Sequence, residues 1–204
     1  MAIFTARNAG IAFMVVGILM ILGGVLTLII PFAKVAGFED YDLVYFIILA
    51  VGEFISGALY FIYGKRANDG TIYRKVDILA YFVKVVGVTA IISGVCSTAA
   101  SMYPSLDIGT FFAGAISSIV IGLILIVCAM KINDNKKTFF DKVIWTVLLI
   151  AFMSLFLISL LEVIGVDNVV AGAVGVLTYV YMVILLFDPD VEMAMGIRAE
   201  DNPL

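Results

Sequence analysis

Six stretches of this chain carry almost no charge over about twenty residues each, and that length restricts the fold more than any motif does. They run approximately Ala9–Ile30, Leu43–Tyr63, Asp77–Tyr103, Ile108–Met130, Val143–Ile164 and Val169–Phe187. A hydrocarbon core of about 30 Å is crossed by an α-helix of about 20 apolar residues. Runs of this length meet the backbone's hydrogen-bonding demand in lipid only as helices. With 64% of residues apolar and 14% charged, the chain lies far from soluble domains, which are about half apolar and a quarter charged. The expected fold is therefore an all-α membrane protein with six transmembrane helices.

Two polar connections divide the runs and resemble each other. Lys65-Arg66-Ala67-Asn68-Asp69-Gly70-Thr71-Ile72-Tyr73-Arg74-Lys75-Val76 returns as Lys131-Ile132-Asn133-Asp134-Asn135-Lys136-Lys137-Thr138-Phe139-Phe140-Asp141-Lys142-Val143. With Arg7 and Arg198, these loops hold nearly all the Lys and Arg. Lys34 stands on the opposite side, and Lys84 lies within a span. By the tendency of cytoplasmic loops to retain positive charge, a multi-pass protein of the cell membrane is expected, with both termini cytoplasmic. The other loops are acidic, through Glu39, Asp40, Asp42, Asp107 and Asp167. Arg7 followed by an apolar run could suggest a secretory leader, but the run is longer than a leader's apolar region and is read as a retained span.

The similarity extends into the spans. Val15-Val16-Gly17 matches Val85-Val86-Gly87, Gly24-Val25 matches Gly94-Val95, and each hairpin turns near a proline, Pro31 or Pro104; in the second helices, Gly57 matches Gly122. The simplest account is three tandem hairpins at 7–63, 77–130 and 143–187 in a single transmembrane domain, followed by an acidic tail at 188–204. The third hairpin keeps the Lys142-Val143 entry and lacks the paired glycines. The tail has no periodicity, which leaves disorder or a docking peptide open.

Helices with an internal glycine, a turn at proline and three such hairpins in sequence resemble the HdeD-like short-repeat membrane proteins of bacteria. Gly17, Gly24, Pro31 and Gly57 carry the resemblance, with Gly87, Gly94, Pro104 and Gly122 in the second unit. It implies an inner-membrane protein linked to acid or envelope stress, with no catalytic residues to transfer.

Glycines seven apart fall nearly in line on a helix, so Gly17/Gly24 and Gly87/Gly94 each mark a stripe where another backbone can approach. Gly114, Ser118 and Gly122 form a small-residue row at a spacing of four. These are packing seams, and Gly57 belongs with them. The fifth span is nearly all Leu, Ile, Phe and Met, which makes it the candidate for lipid exposure or a subunit contact, with Trp145 as an interfacial anchor. Cys96 and Cys128 read as small buried hydrophobes.

Ionisable groups inside spans are functional candidates. Glu53 lies near mid-membrane, and the repeat aligns it with Ser118 on an inward face. Lys84 falls near the glycine stripe of the third span, where a pair with Glu53 is conceivable and snorkelling to the interface is the alternative. Glu162 is close enough to its helix end to reach headgroups. The candidate ion or proton pathway is therefore Glu53, Lys84 and Ser118, with Ser117, Thr89 and Ser93 as further lining groups.

Three functions follow from this reading. The first is a non-enzymatic membrane protein of the envelope-stress type, self-associating or bound to a membrane partner. The second is a small proton or cation channel or transporter acting through Glu53. The third, an enzyme, is disfavoured because the chain has no His, no phosphate loop and no clustered carboxylates. No metal or cofactor is expected. Apart from membrane lipid, the expected partners are protein, and the net charge of −4 with no basic face bearing aromatics argues against nucleic acid.

Overall fold

The computed structural model describes residues 6–33, 42–103, 107–132, 138–165 and 169–198. Six long helices follow one another: α1 (Ala6–Ala33), α2 (Leu43–Asn68), α3 (Lys75–Met102), α4 (Ile108–Ile132), α5 (Phe139–Gly165) and α6 (Val169–Leu186). A short α7 (Pro189–Ala194) completes the chain, and there is no strand among the described residues. The first five are long and apolar enough to cross a membrane. With 18 residues, α6 is shorter. Most helices extend past the expected spans into the polar connections, where backbone hydrogen bonding continues in water.

Sequence neighbours pack most extensively, α1 on α2, α3 on α4 and α5 on α6. Looser contacts of α2 with α3 and of α1 with α6 assemble these pairs into a bundle. The connection from α2 to α3, Lys131, Asp141 and α7 lie at one end, called here the basic end. The opposite end, at Asp42 and Asp107, is the acidic end.

Missing side chains set the approach of the first two pairs. A Cβ on Gly17 would lie 2.6 Å from the Gly57 carbonyl oxygen, and one on Gly57 would lie 2.7 Å from the Gly17 carbonyl. Gly87 stands in the same relation to Gly122, 2.7 Å from its carbonyl oxygen. Gly24 receives the Phe54 ring, Gly94 receives Ser118, and Gly114 receives Thr98. A further contact, Gly10 against Gly64, extends the first seam toward the basic end. The third pair is built otherwise. Gly172 packs on Ser159, after which Phe152 stacks on Tyr179 at 6.3 Å and the Trp145 indole N–H donates to the Leu186 carbonyl at 2.9 Å. Gly172 and Gly175 close this seam toward the acidic end, and rings fill it toward the basic end.

The pairs meet through an aromatic block in the basic half. Phe13 lies 4.9 Å from Tyr63 and 5.0 Å from Phe82, and Phe82 meets Phe152 edge-on at 5.8 Å. Phe13, Phe82, Phe152 and Tyr63 are all fully buried. Such pairs add about 0.5–1.5 kcal/mol each beyond the area they bury. The Tyr63 hydroxyl donates to the Ile78 carbonyl at 2.6 Å, joining the first pair to the second.

Several expectations are corrected. Pro31 does not close the first helix, which continues through it to Ala33. Proline removes one N–H and its bond to the carbonyl four residues back, that of Thr27, and so close to the helix end this does not break the helix. The fifth helix is bare as expected but not alone in it: α4 is equally so, with 11% of its apolar stretch buried against 17%. The reason is placement, since α4 packs almost entirely on α3, at the margin of the bundle. The beginning of the tail, for which disorder and docking were both open, packs on the bundle as α7. Asp188 caps α7 by accepting from the Asp190 N–H, Val191 and Met195 are buried, and Lys75 makes ion pairs with Asp188 and Asp190 at 2.8 Å each. The turn at Pro104 and residues 133–137 lie outside the described residues.

Asp107 caps α4, accepting from the Thr110 hydroxyl at 2.6 Å and the Thr110 N–H at 2.9 Å. Chiefly the hydroxyl bond, and then the backbone bond, hold its carboxyl below the usual carboxylate range. A depressed folded value means that the cap contributes above the ordinary carboxylate range and is lost as pH falls through the folded value.

Gly17→Ala should destabilise the protein by about 1–3 kcal/mol, because the new methyl meets backbone on the facing helix. Gly23→Ala, whose Cβ would meet nothing nearer than the Glu53 carboxylate at 3.6 Å, should stay within about 0.5 kcal/mol. Thermal unfolding of both variants in the same detergent checks this, and equal losses would remove the seam as the explanation.

Candidate functional site

The space between the helix pairs is filled in one half and not in the other. In the basic half the aromatic block occupies it. Toward the acidic end the facing positions are small, including Gly23 and Thr27 of α1, Ala90 and Ser93 of α3, Ser159 of α5 and Gly175 of α6. A half-open cavity of about 600 Å³ remains there, lined by α1, α2, α3, α5 and α6. Tyr60, Val16, Val86 and Tyr179 line it nearest the aromatic block, while Ile30 and Glu162 line it near the acidic end. The volume lies within the roughly 300–1,000 Å³ of small-molecule sites.

Two carboxylates reach this cavity, Glu53 from α2 and Glu162 from α5. Glu53 is half-buried, and its Oε2 accepts from the Thr27 hydroxyl at 3.1 Å. Gly23 faces the same oxygen without a side chain and leaves the carboxylate room. No Lys or Arg lines the cavity. Among the described residues neither carboxylate has an ion-pair partner. An uncompensated carboxylate surrounded by apolar helices is costly.

Three hydroxyls beside the carboxylates have a common polarity. Thr89 donates to the Val86 carbonyl at 3.0 Å and Thr178 to the Val174 carbonyl at 2.7 Å, each turned back on its own helix. Thr27 donates to Glu53. The hydrogens of all three are committed; Thr89 also meets the Tyr60 hydroxyl in a side-chain hydrogen bond, and Tyr60, Ser93, Ser159 and Tyr179 add hydroxyls that can donate.

The structure distributes the sequence candidates unevenly. Glu53, Thr89 and Ser93 come together on the cavity. Lys84 does not: it is exposed, with its ammonium 5.9 Å from the centre of the Tyr81 ring, toward the basic end. No ion pair joins it to Glu53 among the described residues. Ser118 packs against Gly94 inside the second pair, and neither it nor Ser117 lines the cavity. Gly17, Gly24, Gly57, Gly87, Gly94, Gly114 and Gly122 all lie at helix contacts. Glu162, read from sequence as a headgroup-reaching residue, is a cavity residue, and Thr27, Ser159 and Thr178 had no sequence signal. Nothing in local spacing shows which faces of the first and third pairs will meet. Among the described residues no cluster of three or more His, Cys, Asp or Glu is arranged to hold a metal ion.

The aromatic block separates the cavity from the basic end, and this generates a labelling test. In a protein whose Cys96 and Cys128 are replaced by Ala, Thr89→Cys should react with a membrane-impermeant thiol reagent from the acidic-end side only. Adding Phe82→Ala should admit the reagent from the basic end, at a stability cost of about 3–5 kcal/mol. Labelling from the basic end before Phe82 is changed would show that the block does not seal the cavity.

No protein-family model, curated protein or solved structure matches this chain.

Proposed function

We propose that this is a six-span protein of the cell membrane, built as three tandem hairpins with both termini in the cytosol, that binds and moves a cation through Glu53. One observation carries the functional part: two carboxylates share a cavity that holds no basic residue. The six-span part is supported by the length of α6, since 18 residues rise about 27 Å as a helix. The repeat is supported by glycine seams in matching positions of the first two pairs, and the orientation by the Lys and Arg of the basic end.

On this reading the acidic end faces outward, and the cavity takes a cation or a proton from that side. Cation and proton compete for one carboxylate, so occupancy depends on pH. The titratable groups lining the same space are Tyr60 of α2, Glu162 of α5 and Tyr179 of α6, while α1 and α3 contribute only hydroxyls. The packed floor supports reading the cavity as one face of an alternating site, whose other face would require the block around Phe82 to part.

A second reading keeps the protein as a non-enzymatic envelope or acid-stress component that assembles with a second copy or another membrane protein. The bare face of α4, with Ile116, Val120, Ile124 and Val127 exposed, favours it, as does the resemblance to HdeD-like proteins. Because the glycines are taken up inside the hairpins, α4 is the face such an assembly would use.

Proteoliposomes with an internal pH dye separate the two. With Glu53 as the carrier group, wild type should show cation-driven proton flux and Glu53→Gln should lose about 90% or more of it, as expected for removal of an intramembrane relay carboxylate. No flux in the wild type, or equal flux in the variant, favours the assembly reading.

A further inference from the structure

We propose that the natural occupant of this cavity is a protonated amine carrying an apolar body, with its ammonium group at Glu53 and Glu162 as a second carboxylate on its way in. The inference rests on the cation-binding reading of Glu53 and specifies the cation.

The polar groups point to a donor-rich ligand. The hydrogens of Thr27, Thr89 and Thr178 are engaged, so beside the two carboxylates these three offer acceptor oxygens, while the hydroxyls of Ser93, Ser159, Tyr60 and Tyr179 on the same cavity can donate as well as accept. An ammonium group brings up to three N–H donors and one positive charge. It can satisfy a carboxylate and neighbouring hydroxyl oxygens together through charge-assisted bonds, whereas a quaternary ammonium ion has the charge and no N–H.

The apolar walls point to a body behind that charge. Leu19, Leu26, Leu155, Ile158 and Val174 leave most of the space without a polar partner. A bare or hydrated inorganic cation would waste it, and among the described residues no multidentate metal cluster exists. An alkyl or aryl group gains about 25 cal/mol per Å² of apolar surface removed from water.

Geometry gives the carboxylates an order. From Leu43 at the acidic end, Glu53 lies about 15 Å down α2, whereas Glu162 is about 5 Å from the end of α5 at Gly165. Helical side chains lean toward their own N-terminus. Glu53 on α2 therefore leans toward the mouth and Glu162 on the antiparallel α5 leans inward, so the two converge on one path.

Calorimetry on the full-length protein in nanodiscs tests this with three probes of similar shape: 2-phenylethylamine, its N,N,N-trimethyl analogue and the neutral 2-phenylethanol. The amine should bind at least about tenfold more tightly than the quaternary ion, in line with hydrogen bonds to a charged group. The alcohol should give no measurable heat. Glu53→Gln should weaken the amine about tenfold or more, and Glu162→Gln and Thr178→Val about threefold each. Amine affinity in wild type should fall as the medium is acidified, because protons compete for the carboxylate. Thr178→Val removes an acceptor with little change of shape, so it also serves if Glu53→Gln fails to fold. Equal affinity for the quaternary ion, binding of the alcohol, or an unchanged amine affinity in Glu53→Gln and Thr178→Val overturns the proposal. If no amine binds while proton flux still depends on Glu53, the ligand class falls and the Glu53 reading stands. If both are absent, both fall.

Discussion

The bundle depends on backbone meeting backbone within its first two helix pairs. Gly17 against Gly57 and Gly87 against Gly122 bring main chain within the distance a single Cβ would occupy. In lipid this matters more than in water, because surrounding hydrocarbon is as apolar as the helix surface and gives no hydrophobic reason for helices to associate. Close packing and the local hydrogen bonds it permits are what remain. Each pair thereby becomes a stiff unit, and the bundle is an arrangement of three such units.

How those units face one another creates the cavity. The inter-pair space tapers in side-chain size, from Phe13, Phe82 and Phe152 at the basic end to Gly23, Ser93 and Gly175 toward the acidic end. Helices held apart by rings at one level cannot collapse onto small residues a few turns away. The third pair contributes to the same spacing through Phe152 and Tyr179, while its seam closes on Gly172 and Gly175 nearer the acidic end.

Charges are divided along the same axis. At the basic end two cations of the α3 entry are matched within the chain, Lys75 with Asp188 and Asp190 and Arg74 with Asp77 at 2.7 Å. In the cavity the carboxylates have no such match. Paired ions at the end secure α7 and the entry of α3, while the cavity carboxylates have no ion-pair partner among the described residues.

The positions of the helices, the pairing of neighbours and the contacts at Gly17, Gly57, Gly87 and Gly122 were legible in the residues alone, because they depend on run length and on periodicity within one or two helices. Glu53 was legible as an inward group for the same reason. The company it keeps was not. Glu162, Thr27, Ser159 and Thr178 join it, and Lys84 and Ser118 are left out, because membership of the cavity depends on which faces of separate hairpins come together. That choice is made by the shape of the aromatic block, a product of contacts among α1, α2, α3, α5 and α6 that no local pattern encodes.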